Sequence, residues 1–199
     1  MGRLRIGNAT LPGDKNLNAS AFVVGPRDGA SAALQDLARA VGFTSVERYA
    51  GLARAEKQVR LTPIVFFLCA EVADIGSLKP MADAIRFSPS LDLRFSPLIY
   101  FSRSLSIDAT KQCIGMGFDD VIALPYKGGD LSERIFRQVG TTQTYYETAT
   151  YFGPDRRNRV GSPRSTDSDH GGGEFRRIEI IRNPTSGIDV LRDDFQVVV

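Results

Sequence analysis

Between residues 20 and 140 the chain switches repeatedly between two hydrophobic periods. Ala21–Val24 is a short apolar run ended by Gly25–Pro26, the pattern of a buried strand and a turn. From Ala30 to Val41, the positions Ala33, Leu34, Leu37, Ala38 and Val41 recur at helical spacing, and Gly42 follows where a helix C-terminal glycine belongs. Ser45–Tyr49 reads as a second strand and Leu52–Val59 as a second, weaker helix. Ile64–Cys69 is apolar at every position, which predicts a central parallel strand covered on both faces. Leu78, Met81, Ala82 and Ile85 mark a third helix, Leu98–Phe101 a fourth strand, and Ile107–Met116 a fourth helix closed by Gly117. Val121–Leu124 is a fifth strand stopped by Pro125; Leu131, Ile135, Phe136 and Val139 form the stripe of a fifth helix.

Five strands alternating with five helices predict a doubly wound five-stranded parallel sheet, because each parallel connection needs a crossover and right-handed crossovers put helices on both faces. Sites in such sheets lie at the carboxyl ends of the strands. Here those ends are Gly25–Pro26, Leu68–Cys69, Ser102 and Leu124–Pro125.

The flanks read differently. Residues 1–19 show little periodicity and are expected to be a flexible lead-in to a domain spanning 20–140. Residues 141–174 carry an aromatic and arginine-rich stretch, then a Gly/Ser/Asp-rich linker over 162–173 that is expected to be disordered. From 175 to 199 alternation returns, with a turn at Pro184–Gly187, so the C-terminal extension should contain short β elements. Val197–Val199 would be an aggregation risk if left exposed, so this appendage is expected to be covered.

Composition changes little. Apolar residues make up 42% and charged residues 24%, and a net charge of +2 does not by itself argue for nucleic acid. Cys69 and Cys113 sit in apolar runs with no metal-ligand spacing, which fits small core residues in a reducing compartment. Ile64–Ala70, the longest apolar stretch, is about a third of a membrane span, and no apolar stretch of a secretory signal follows Arg3 and Arg5. A soluble, cytoplasmic protein with no membrane contact is expected. The single histidine, His170, stands in the linker before Gly171–Gly173, no Gly-x-Ser-x-Gly elbow accompanies it, and no paired acids or metal cluster occur at the strand ends. No enzymatic activity and no cofactor or metal are expected.

Gly117-Phe118-Asp119-Asp120-Val121-Ile122-Ala123-Leu124-Pro125-Tyr126 resembles the Gly-Ala-Asp-Asp, strand, Lys-Pro-Phe segment of the receiver domain of bacterial response regulators. Pro97–Ser102 is similar to the fourth receiver strand and Val23–Val24 to the first. The resemblance covers about residues 20–140 and implies a flavodoxin-like fold and a role in two-component signal transduction. It also implies a phosphorylation pocket, in which an acidic pair holds Mg²⁺, an aspartate accepts phosphate, and a hydroxyl and a lysine contact the phosphoryl oxygens. Carried over, the acidic pair falls on Gly25 and Pro26, the acceptor on Leu68 (or Cys69), the hydroxyl on Ser102, the lysine on Leu124 and the aromatic switch on Val121. Only Ser102 keeps the required chemistry. The pattern implies a degenerate, or pseudo-receiver, domain that cannot be phosphorylated on aspartate and acts as a non-catalytic signalling adaptor. Asp28 and Glu71, just past the strands, are read as solvated loop charges.

The resemblance also implies a pairing face made by the fourth helix, fifth strand and fifth helix. It would present Arg103, Lys111, Gln112, Tyr126, Lys127, Arg134 and Arg137, to a signalling kinase, another regulator or a second copy. Tyr126 is the foremost candidate there.

Beyond it, Tyr151-Phe152-Gly153-Pro154-Asp155-Arg156-Arg157-Asn158-Arg159 joins an aromatic anchor to guanidinium forks. Three readings stand: a docking peptide for a protein partner, a clasp folded back on the domain, or a phosphate or nucleic-acid contact. The last supplies an alternative function, a nucleic-acid-associated regulator using Arg156, Arg157 and Arg159.

Overall fold

The computed structural model describes residues 17–126, 130–155 and 174–197. In chain order the elements are β1 (Leu17–Val24), α1 (Gly29–Val41), β2 (Phe43–Arg48), α2 (Leu52–Gln58) and β3 (Ile64–Cys69), then a 3-10 turn (Ile75–Leu78), α3 (Lys79–Arg86), α4 (Leu91–Arg94) and β4 (Leu98–Ser102). They continue with α5 (Ile107–Gly115), β5 (Asp120–Ala123), α6 (Leu131–Phe136), β6 (Thr142–Glu147), β7 (Phe152–Pro154), β8 (Glu174–Asn183) and β9 (Gly187–Val197).

The first five strands form a parallel sheet in the order β2-β1-β3-β4-β5, the flavodoxin-like order of the doubly wound class. The expected fold is therefore the observed one. Its cause is visible in β3, whose six residues are all buried. Val65, Phe67 and Cys69 face a layer completed by Ala55, Ala82, Ile85 and Cys113, whereas Ile64, Phe66 and Leu68 face Leu34, Ala38 and Ile135. A strand buried on both sides cannot afford polar alternation. Asp28 caps α1 through the Ser31 amide, and Gly42 ends it in the left-handed conformation.

Two expectations need correction, and one element was not foreseen. Residues 17–19 are not lead-in but part of β1, with Ala19 fully buried. The four-residue helix α4 is too short to show a period, and the sequence did not predict it. The largest difference lies after residue 140. Thr142–Glu147 and Phe152–Pro154, read as part of an aromatic segment and linker, are strands that join the β8–β9 hairpin in an antiparallel sheet ordered β7-β6-β8-β9.

That second sheet has its own core, in which Tyr145, Phe152, Ile178 and Ile180 pack around Phe95 of the parallel-sheet layer. The β8–β9 turn sits against the amino end of the parallel sheet. There the Asn18 amide donates to the Pro184 carbonyl at 3.2 Å, and the Ile188 N–H donates to Asp92 at 3.3 Å. Cys69 and Cys113 are buried and form no disulfide with each other. Among the described residues no helix is long and apolar enough to cross a membrane. Residues 1–16, Lys127, Arg156, Arg157, Arg159, the 162–173 linker with His170, and Val198–Val199 lie outside the described residues.

Candidate functional site

Parallel strands bring their carboxyl ends to one rim, and the order reversal lies between β1 and β3. Gly25 and Pro26 follow β1 on this rim, with Arg48 donating to the Gly25 carbonyl at 3.1 Å. Asp28, in the loop that follows, caps α1 by accepting from the Ser31 N–H at 3.0 Å. A shallow cavity of about 420 Å³ lies beside them, lined by Gly25, Pro26, Val72, Ala73, Asp74, Ser77 and Leu78, and largely apolar.

The acceptor position is where the structure departs from the sequence reading. Leu68 is 1% exposed and points into the core among Ile99, Ile122 and Ile135; Cys69 is buried on the opposite face. Neither reaches the rim. The reason is that the pairing with β1 runs on past both, with the Ala70 N–H donating to the Val24 carbonyl at 2.8 Å. The first side chain free to turn out is Glu71. It accepts from the Ser102 hydroxyl at 2.8 Å and from the Arg103 N–H at 3.2 Å. These bonds hold its carboxyl below the usual range, the Ser102 hydroxyl contributing most. Glu71 is thus not a solvated loop charge but the latch of the β4–α5 loop.

Ser102 itself is buried and accepts from the Ser104 N–H at 3.0 Å. Leu124, at the lysine position, is half-buried against the α1–α6 layer and precedes a cis peptide bond to Pro125. Val121 is buried in the opposite layer. The rim therefore gathers Gly25, Pro26, Glu71, Ser102 and Leu124, and excludes Leu68.

On the α5–β5–α6 side, Arg134 and Tyr126 are already engaged. The Arg134 guanidinium grips Asp120 at 2.8 and 2.9 Å, donates to the Val121 carbonyl at 3.1 Å, and lies 5.2 Å from the Tyr126 ring centre.

The most elaborate polar arrangement was not foreseen. Asp119, Arg86 and Arg182 are buried to 5% exposure or less, where the two sheets meet. Asp119 accepts from the Leu98 N–H at 2.7 Å, from Arg182 at 2.8 Å, from Arg86 and from the Tyr145 hydroxyl, which in turn accepts from Arg182. The remaining guanidinium donors go to carbonyls: Arg86 to Gly117, Arg94 and Ser96, Arg182 to Phe95 and Gln138. Burial alone would raise the Asp119 pKa, but Arg86 and Arg182 outweigh it and bring it down to about 2. Burial pushes the Tyr145 hydroxyl well above its ordinary value. A sequence signal did exist: Ile178, Ile180 and Arg182 share one strand face, so the arginine follows two buried positions.

The aromatic segment folds against this seam. Phe152 is 2% exposed, stacks on Tyr145 at 5.4 Å and meets Phe95 at 5.3 Å, with the Arg94 guanidinium 4.1 Å from its ring centre. Tyr151 and Asp155 are half-buried, and the Asp155 N–H donates to Thr144 at 2.7 Å. Phe152–Pro154 is folded back on the protein, paired with β6 and packed in the core of the second sheet.

No family model matches the sequence, and comparison with curated proteins gives no match. Among solved structures, one described as a response regulator from Chloroflexus aurantiacus is 20% identical, covering 59% of this chain and 94% of its own, with a TM-score of 0.44. The receiver domain of a sensor histidine kinase from Pseudomonas aeruginosa, with magnesium in its active-site cleft, is 17% identical over 59% of this chain and 94% of its own, with a TM-score of 0.41.

Proposed function

We propose that the protein is a signalling adaptor built on a receiver-like domain, acting by protein–protein binding without phosphoryl transfer. The observation that carries this reading is the chemistry of the rim. Gly25 and Pro26 bring no side-chain oxygens for a hard cation, and Leu124 brings no charge to neutralise a transferred phosphoryl group. Among the described residues Glu71 is the acid that touches Ser102, and its oxygens are committed to Ser102 and Arg103. Aspartyl chemistry at the acceptor position is therefore replaced by a fixed ionic hydrogen bond. A domain whose switch hydroxyl is tied down in this way offers a constant surface rather than a two-state one.

The partner surface assigned to this function is the α5–β5–α6 side around Tyr126 and Arg134, together with Asp155 and the arginines Arg156, Arg157 and Arg159 that follow β7. Incubation of the full chain with acetyl phosphate and Mg²⁺, followed by intact-mass measurement, tests the reading. No phosphoryl adduct is expected. An adduct that forms in wild type and is abolished by Glu71→Gln would overturn it.

A further inference from the structure

We infer that the outer edge of β9 is a self-association surface that takes β9 of a second copy, antiparallel across a two-fold axis. β9 is eleven residues long and ends the order β7-β6-β8-β9. Its first turn-proximal donor, the Ile188 N–H, is closed by Asp92 of the same chain. From Val190 onward, no described strand pairs with the outer edge. Val190 is 41% exposed, Leu191 54% and Phe195 64%. Seven large apolar side chains are exposed among the described residues, and three of them stand on this one strand. Edge strands that must stay single are commonly blunted with charges, lysine above all, with proline or with bulges. Residues 187–197 contain neither lysine nor proline, and their charges, Asp189, Arg192, Asp193 and Asp194, are of both signs. A bulge at Leu191 does bend the strand, and beyond it Arg192–Val197 pair regularly with β8.

The charge order says what fits the edge. Arg192 is followed by Asp193 and Asp194. An antiparallel copy centred on Asp193 places Arg192 opposite Asp194 of the second copy, and by symmetry the reverse. The same register sets Leu191 beside Phe195 of the second copy, covering both exposed apolar groups. Asp193 would face itself on the axis, but Arg176 of β8 already neutralises it within each chain. A strand whose charges complement themselves under reversal selects its own copy over an unrelated peptide, and a two-fold contact closes at the dimer instead of growing into a fibre.

Sedimentation of the full chain over a micromolar range should show a reversible dimer. Arg192→Asp alone and Asp194→Arg alone should each weaken it about tenfold or more, because each sets like charges opposite twice. Mixed in equal amounts, the two variants should form a heterodimer of wild-type strength, since the introduced acid of one then faces the introduced base of the other. Recovery on mixing cannot come from the Arg192–Asp194 pair within one chain, which neither variant retains. Leu191→Lys should also give monomers with an unchanged melting curve. A wild-type chain that stays monomeric, a dimer indifferent to the single changes, or failure of the mixture to recover would each overturn the inference.

Discussion

Gly117 and Gly153 meet backbone to backbone. A Cβ on Gly153 would stand 2.8 Å from the Gly117 Cα, and one on Gly117 would stand 2.2 Å from the Phe152 carbonyl oxygen. Gly117 also has φ +79°, a conformation that side chains resist. The two glycines belong to the two densest motifs in the sequence, Gly117–Asp120 and Tyr151–Asp155, and their contact is what makes those motifs one structure.

Gly117→Ala and Gly153→Ala should therefore each cost about 3 kcal/mol, near the upper end for single substitutions. Gly29→Ala, on a helix with nothing within 4 Å of the new methyl, is the matched control and should be neutral or mildly stabilising. Urea unfolding of the three variants checks this.

Asp119→Asn keeps the shape of the buried junction but leaves Arg86 and Arg182 without their counter-ion. Breaking one side of such a cluster costs about 3–5 kcal/mol. The loss should be read from the denaturation midpoint. Arg182→Met, which removes a buried charge and keeps apolar volume, should cost less than Asp119→Asn.

The same carboxylate fixes an acid limit. Its pKa is about 2 in the folded chain against 3.8 for the free group, so the unfolded chain binds the proton more readily. The associated stability is complete above pH 4 and falls as pH drops through about 2, by on the order of 2 kcal/mol. Unfolding free energy measured from pH 5 to 2 should show this step in wild type. Its persistence in Asp119→Asn would assign it to another group.

Glu71→Gln replaces a charged acceptor with a neutral one. The Arg103 amide should then exchange with solvent about tenfold faster, the scale of one charge-assisted hydrogen bond. The α5 amides beyond Ser106 should be unaffected, since Ser106 caps that helix independently. Hydrogen exchange resolved by residue distinguishes the two outcomes.

The parallel half was legible because its strands are continuous apolar runs and its helices carry regular stripes. Ile64–Cys69 has the length of a strand and follows Pro63, which sets it apart from a buried helix. The rim was only partly legible, because strand ends are set by pairing and not by composition. Ala70 continues the β1 ladder past Leu68, and this moved the outward position to Glu71. Thr142–Glu147 was missed for a related reason. Its inward residues are Gln143, Tyr145 and Glu147, so a buried strand carries little apolar alternation, and only Tyr145 is fully enclosed. Arg86 looks like a surface charge in sequence, and its burial is explained by the Asp119 carboxylate and the carbonyls around it.

The seam between the sheets also orders events during synthesis. Arg182 lies 63 residues after Asp119 and 87 after the Phe95 carbonyl that it also binds. A chain leaving the ribosome amino end first thus displays an acid and an aromatic flank long before their cover has been translated. Until the last hairpin arrives, Asp119 lacks one of its two guanidinium partners and Phe95 lacks Ile178 and Ile180 beside it, and a stop codon placed ahead of Glu174 would leave both so permanently.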